Sequence, residues 1–296
     1  MQSTPAVTAE SSTLEGQHLA LLIAINLIWG MNLIASKIGV GQFPPLLFTA
    51  MRFGAVALVL LPMLRWQRGQ MFYLLAAALF TGPAAFALLF TGVKLTADAS
   101  TVAIATQMGV PFSTLLSVWL LGETIRWRRT LGIVLAFAGI VVIGFDPRVF
   151  AYWEGLLLVI LSCFVGSLGL IFVKRLKNLK ALELQAWIAA VGGPGLLLLS
   201  LTLESNQATA IANANAYGWG SLAFTTIMSS LIAHTGWYYL VSRYPVTSLS
   251  PLFGIFFGVT LLNDQLTPRI LLGGAITLVG VLIVVLREKR LVDTGT

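Results

Sequence analysis

Polar residues that could handle a solute are few in this chain, and they gather inside apolar runs. Asn26, Trp29, Gly30 and Asn32 interrupt the first run, Thr81-Gly82-Pro83 the third, and Thr106-Gln107-Met108-Gly109-Val110-Pro111 the fourth. The sixth carries Ser162 to Ser167 around Phe164 and Gly166, and the eighth carries His234-Thr235-Gly236. An amide side chain presents two donors and two acceptors that hydrocarbon cannot meet, so Asn32 and Gln107 must face protein, water or a ligand. Phe86 and Phe90 stand one turn apart on the third run, a spacing that suits packing or the wall of a binding site. His234 could carry a proton near neutral pH or serve as a hydrogen-bonded packing group. The chemistry open to this set is recognition. A metal triad or a nucleophile with its base cannot be drawn at depth from one cysteine, Cys163, and two histidines, of which His18 sits at a run's edge. No GxxxxGK[ST] loop offers nucleotide hydrolysis. Neither catalysis nor a metal or other cofactor is expected.

What positions these residues is a bilayer. The chain of 296 residues is 57% hydrophobic and 10% charged, far below the roughly 25% charge of soluble proteins. Apolar runs fall near 18–40, 44–64, 71–93, 97–121, 130–145, 154–173, 181–203, 217–241, 246–262 and 270–286, most close to the roughly 20 residues that cross a membrane as helix. They lack the alternation of a membrane barrel, so the fold expected is all-α and integral to the membrane, with ten transmembrane helices. Residues 1–17 contain no Lys or Arg, which argues against a cleaved signal peptide and for a disordered cytoplasmic tail. Residues 288–296 form a second tail.

Charge sets the orientation. With the N-terminus in the cytoplasm, 13 Lys and Arg fall on the inner side, among them Arg65, Arg126, Arg128, Arg129, Lys174 and Lys177, against four outside: Lys37, Lys94, Arg148 and Arg269. That bias puts both termini in the cytoplasm. The net charge of +7 is spread between runs and not over one polar face, so a nucleic-acid partner is not expected. Trp66, Trp119, Trp127, Trp153 and Trp219 lie at run ends, where an indole anchors at the interface, while Trp29 is too deep for that. All eleven carboxylates lie in tails, loops or run ends. A proton-coupled exporter of lipophilic cations wants a deep carboxylate, so small neutral or zwitterionic solutes fit better. Arg52 lies eight residues into the second run. A guanidinium there either bonds a neighbouring helix or captures a substrate carboxylate, and Lys37 could simply snorkel.

Residues 120–143 align without gaps on 261–284, matching Glu123 to Asp264, Gly132 to Gly273 and Gly139 to Gly280. Five runs per half means an odd number, so the two repeats, 18–146 and 147–287, take opposite orientations in the membrane. The Gly132/Ala136/Gly139 and Gly273/Thr277/Gly280 stripes suit close helix packing. One departure stands out: Ser100 to Glu123 spans 23 residues, but Ser248 to Asp264 only 16. Either the ninth helix is short or broken, or residues present in the first half are missing near Pro251.

Pro111, Glu123 and Gly132, together with Trp29-Gly30, Asn32, Lys37 and Arg52-Phe53, resemble the drug/metabolite transporter superfamily, in particular its ten-helix EamA-type members and the amino-acid exporters among them. The resemblance implies an inner (plasma) membrane carrier that exports small metabolites by alternating access and works as a monomer. It also implies a central cavity walled by the first, third, fourth, sixth, eighth and ninth helices, with the second outside it. On that basis Trp29, Asn32, Phe86, Phe90, Gln107, Phe164 and His234 are the candidate substrate contacts, and Gly30, Pro83, Pro111, Gly166 and Pro251 the candidate helix breaks or gates. A permease for nucleosides or drugs, and a membrane receptor or assembly factor, are the alternatives.

Orientation is directly testable. Cysteines placed at Arg128 and Lys177 should be shielded from impermeant thiol reagents in intact cells, while one at Asn213 should label; labelling at both basic loops from outside would reverse the topology.

Overall fold

The computed structural model describes residues 16–241 and 250–285. Most of both expected tails and the first residues of the ninth run, 246–249, lie outside them. Ten main helical segments follow the apolar runs: α1 (Gly16–Gln42), α2 (Pro45–Met63), α3 (Met71–Leu95), α4 (Ala99–Leu121), α5 (Trp127–Gly144), α6 (Trp153–Val173), α7 (Ala181–Leu203), α8 (216–241), α9 (Ser250–Leu262) and α10 (Pro268–Val285). All but α8 and α9 are long and apolar enough to cross a membrane by length and composition. Short helices Pro147–Phe150 and Gln207–Asn213 lie in the connections.

Capping chemistry ends these helices where the runs end. Gly122, at φ +69°, closes α4 in the left-handed region, and its N–H bonds the Ser117 carbonyl. Pro45 opens α2, whose next two N–H groups are taken by a distant carboxylate: Glu204, just past α7, accepts from Leu46 N at 2.8 Å and Leu47 N at 3.1 Å. Asp264 does the same for α4, accepting from the N–H and hydroxyl of Ser100, both at 2.7 Å. Both carboxylates favour the positive end of a helix dipole. Within the helices most Ser and Thr hydroxyls turn back on their own chain, as Thr49, Thr81, Thr114 and Thr235 do with the carbonyl four residues earlier.

The packing is symmetric under exchange of each helix with the one five places on. α1 packs on α8 and α9, and α6 correspondingly on α3 and α4; α2 packs on α7, α4 on α9, and α5 on α10. Such a pattern is that of two five-helix repeats of inverted topology. At the α5–α10 crossing it reaches single atoms. A Cβ on Gly132 would stand 2.7 Å from the Gly280 carbonyl, and one on Gly273 would stand 2.6 Å from that of Gly139. These contacts are images of one another under the 141-residue offset. Lipid tails supply no hydrophobic drive between helices, so backbones must approach this closely to gain packing. Thr277, facing Ala136, spends its hydroxyl on the Gly273 carbonyl at 2.8 Å.

Within the described residues the ninth helix covers Ser250–Leu262, the 141-residue image of Gly109–Leu121, the second half of α4. At 13 residues it runs about 20 Å, less than the roughly 30 Å hydrocarbon core. Where α4 has Ala99–Met108 ahead of that half, the second repeat has only residues 242–249 between α8 and α9.

Gly139→Ala should lower the melting temperature in detergent, because its methyl would meet the Thr277 hydroxyl and the Gly273 carbonyl, a cost of about 1–3 kcal/mol. Gly144→Ala, with nothing within 4 Å of the new carbon, should be neutral; equal behaviour of the two would break the close-packing account.

Candidate functional site

Where α3 and α8 pass the bundle centre, neither is a regular α-helix. Nine residues into α3 the chain widens to a π-helical segment, Phe80–Ala84, with Gly82 at φ −96°, ψ −107° and Pro83 inside. Nine residues into α8 a longer π-helical segment, Thr225–Ala233, appears. The two helices are partners under the repeat exchange, so the irregularity is built in twice. Pro83 explains the first, since it lacks the N–H that would bond four residues back. In α4 a tight 3-10 turn, Thr106–Met108, precedes Pro111. Irregular backbone at membrane depth needs protein or a cavity to face.

A cavity is there. Its volume is about 400 Å³, and it is lined from α1, α2, α3, α4, α8 and α9, at the lower end of the roughly 300–1,000 Å³ of small-molecule sites. Trp29, Asn32, Phe86, Phe90, His234 and Pro251 all line it. Trp29 meets His234 edge-on at 5.4 Å between ring centres and lies 5.2 Å from the Trp237 ring. His234 Nδ1 donates to the Ser229 carbonyl at 2.6 Å, which assigns the proton to that nitrogen. A second pocket of about 390 Å³ between α3, α4 and α6 shares Phe86, Leu89 and Thr106 with the first.

Two expected contacts stand outside this lining. Gln107 follows Thr106 in the tight turn, where successive side chains point about 120° apart, and of the two only Thr106 lines the wall. Phe164 packs edge-on against Phe112 at 5.5 Å. Gly30 and Gly166 do not break their helices, since α1 and α6 run straight through them. Gly30 instead admits α9, whose Phe253 carbonyl carbon would sit 2.9 Å from a Cβ there, and Gly166 lines the second pocket. The Gly192-Gly193 pair likewise lets α7 lie against Phe53 and Gly54 of α2.

The largest departure is Arg52. On α2, which the resemblance set outside the cavity, it lines the cavity and is 4% exposed. Its Nε donates to Ser230 Oγ at 2.8 Å and its Nη2 to Ser229 Oγ at 3.5 Å, while Nη1 has no partner among the described residues. The Phe86 and Phe90 rings lie 5.8 and 6.0 Å from the guanidinium carbon. Gln185 of α7 fixes the same stretch of α8 by donating to the Ser230 carbonyl. No Asp or Glu lines the cavity among the described residues.

The two ends of the bundle carry matched polar pairs. At one end Lys37 of α1 donates to the Val93 carbonyl at 2.7 Å and to that of Thr96, tying α1 to the end of α3. Asp264 and Asp98 are the acids whose charge reaches it. Asp264, on the α9–α10 connection, is itself held on α4. Burial, with Asp264 nearby, raises the Asp98 carboxyl above its usual range. At the other end Lys174 of α6 donates to Ser117 Oγ at 2.7 Å and to Glu123 of the α4–α5 connection at 2.8 Å. Helix exchange maps α6 and the α4–α5 connection onto α1 and the α9–α10 connection, so the residues hold related places although their bonds differ: Lys174 pairs with Glu123, whereas Lys37 bonds α3 carbonyls and Asp264 bonds Ser100. Their exposure differs: Asp264 is 8% exposed, whereas the Lys174 and Glu123 side chains are 47% and 42% exposed.

Comparison with known proteins agrees with this architecture. Residues 17–145 and 153–286 each match the EamA-like transporter family. An uncharacterised transporter of Synechocystis is 30% identical over 90% of this chain and 89% of its own length. A protein of Escherichia coli named a probable amino-acid metabolite efflux pump is 26% identical, over 94% of this chain and 98% of its own. A Salmonella typhimurium protein of the same name is also 26% identical, over 90% and 93%. One solved structure superposes with a TM-score of 0.61 at 18% identity, covering 94% of this chain and all of that one, which speaks to the fold alone. Both halves carry the family's sequence and pack as its inverted repeats, and the chain belongs to the EamA-like transporter family.

Proposed function

We propose that this protein exports small metabolites, amino acids first among them, by rocking two inverted repeats about the central cavity. The observation that carries the reading is that cavity: it lies between helices of both repeats, with the irregular segment of α8 and the tight turn of α4 in its wall. An amide, an indole and a guanidinium converge there on a volume suited to one small solute. The probable amino-acid metabolite efflux pumps among the relatives support the substrate class. The basic-residue bias puts the Lys37 end outside. Lys37 and Asp264 seal that end against α3 and α4, while the Lys174–Glu123 pair is open to water, which supports a cavity reached from the cytoplasm. Export then requires the outer set to release as the inner set closes.

Purified protein in liposomes should exchange labelled amino acids across the membrane. With no carboxylate in the cavity wall to trade a proton for a solute, counterflow should persist when an uncoupler is added. Loss of counterflow in both the uncoupled wild type and His234→Ala would instead make this a proton-coupled carrier. Faster exchange of nucleosides or organic cations than of any amino acid would favour the permease reading.

Trp29 should shape what fits. Trp29→Ala is expected to change the ratio of aromatic to small amino acid carried, while the protein still inserts. Were Trp29 only a packing group, the variant would lose about 3–5 kcal/mol of stability and keep the wild-type ratio. Melting temperature and relative uptake, measured together, separate these outcomes.

A further inference from the structure

We propose that Arg52 receives the carboxylate of the transported solute, making the cavity selective for α-amino acids over the corresponding amines and amides. The inference rests on the exporter reading and names the group that would set its specificity.

Three observations converge. Arg52 is a buried cation in the cavity wall that among the described residues makes no ion pair. Hydrocarbon surroundings make such a charge costly, and buried charges are ordinarily paired. Here the partners are two neutral serine hydroxyls, which orient the guanidinium and leave its charge in place, with Nη1 unused. A carboxylate is the anion whose two oxygens match the guanidinium's parallel donors. The remaining unpartnered atoms of the wall point to the rest of the solute. Asn32 Oδ1, an acceptor, and Trp29 Nε1, a donor, are both buried and have no hydrogen-bond partner among the described residues. They lie three residues apart on α1 and therefore on one face. An ammonium group suits the amide oxygen. The indole N–H can share the carboxylate, and Phe86 and Phe90, already beside the guanidinium, offer an apolar surface to a side chain. A donor-rich corner, an acceptor and apolar rings in one cavity without a fixed carboxylate match a zwitterion with an apolar side chain.

The test compares phenylalanine, phenylalaninamide and phenethylamine as competitors of labelled phenylalanine or leucine counterflow in liposomes containing the full-length protein. Phenylalanine should compete about tenfold or more strongly than either analogue, the scale of a charge-assisted hydrogen bond. Arg52→Gln should bring phenylalanine down to the level of its amide, and Arg52→Lys should retain part of the discrimination. In detergent, millimolar phenylalanine should raise the melting temperature of wild type and not of Arg52→Gln, a readout that does not need transport. Wild-type protein that takes the amine or amide as well as the acid, or a folded Arg52→Gln that keeps the wild-type preference, overturns the proposal while leaving the exporter reading standing. Absence of flux for every amino acid, nucleoside and cation offered to the wild type removes the exporter reading itself.

Discussion

A stranded N–H, carbonyl or charge inside hydrocarbon has no water to turn to, and that constraint organises the molecule. It forces the chain into helices and sends most hydroxyls back onto their own backbones. It also gathers what cannot be satisfied that way around one space. The π-helical segment of α8, the tight turn of α4, the Asn32 amide and the Arg52 guanidinium all meet the same cavity, and the π-helical segment of α3 meets the neighbouring pocket through Thr81. Outside it, the helices make contact through small residues, and α5 and α10 touch backbone to backbone at Gly132, Gly139, Gly273 and Gly280.

The second organising feature is the inverted repeat, and its value lies in where the two copies differ. The α5–α10 and α2–α7 contacts pair each helix with its own image, so they can stay fixed while the rest moves. Lys37 and Asp264 occupy places related to those of Lys174 and Glu123, yet Asp264 is buried on α4 while Glu123 and Lys174 pair in the open. On the proposed rocking mechanism, a symmetric carrier in one state is asymmetric in such a place.

Much of this architecture could be read from the sequence. Span boundaries fall within a few residues of the helices because length and apolar content alone decide what can cross a bilayer. Glycine stripes at a shared offset pointed to close packing, which the structure places between α5 and α10, and Pro83 marked a break that lacks a backbone donor. The rotation of each helix about its axis was much less legible. These helices are apolar nearly all round, so the sequence carries little sign of which face looks inward. Gln107 missed the cavity by one residue of a tight turn, and Gly30 read as a break when it is a seat for α9. Arg52 was visible as an expensive charge at depth, but only the fold shows that α2 brings it to the cavity wall.

That placement has a consequence for how loading and movement are linked. An arginine paired with a fixed carboxylate would be neutral whether or not solute were present, and the arriving carboxylate would have to displace a partner. Held by Ser229 and Ser230, Arg52 leaves the empty cavity with a positive charge that no carboxylate among the described residues pairs. Sealing that charge from water at both ends during a rearrangement carries a large desolvation cost. A bound carboxylate cancels it at close range, where the low dielectric makes the attraction strong. The occluded state is then stabilised more by the loaded carrier than by the empty one. A ligand moves a conformational equilibrium only through such a difference in its free energy of interaction with the two states. On the proposed reading, the guanidinium that chooses the solute also favours movement with solute aboard, and exchange of zwitterions would then need no titrating carboxylate in the cavity.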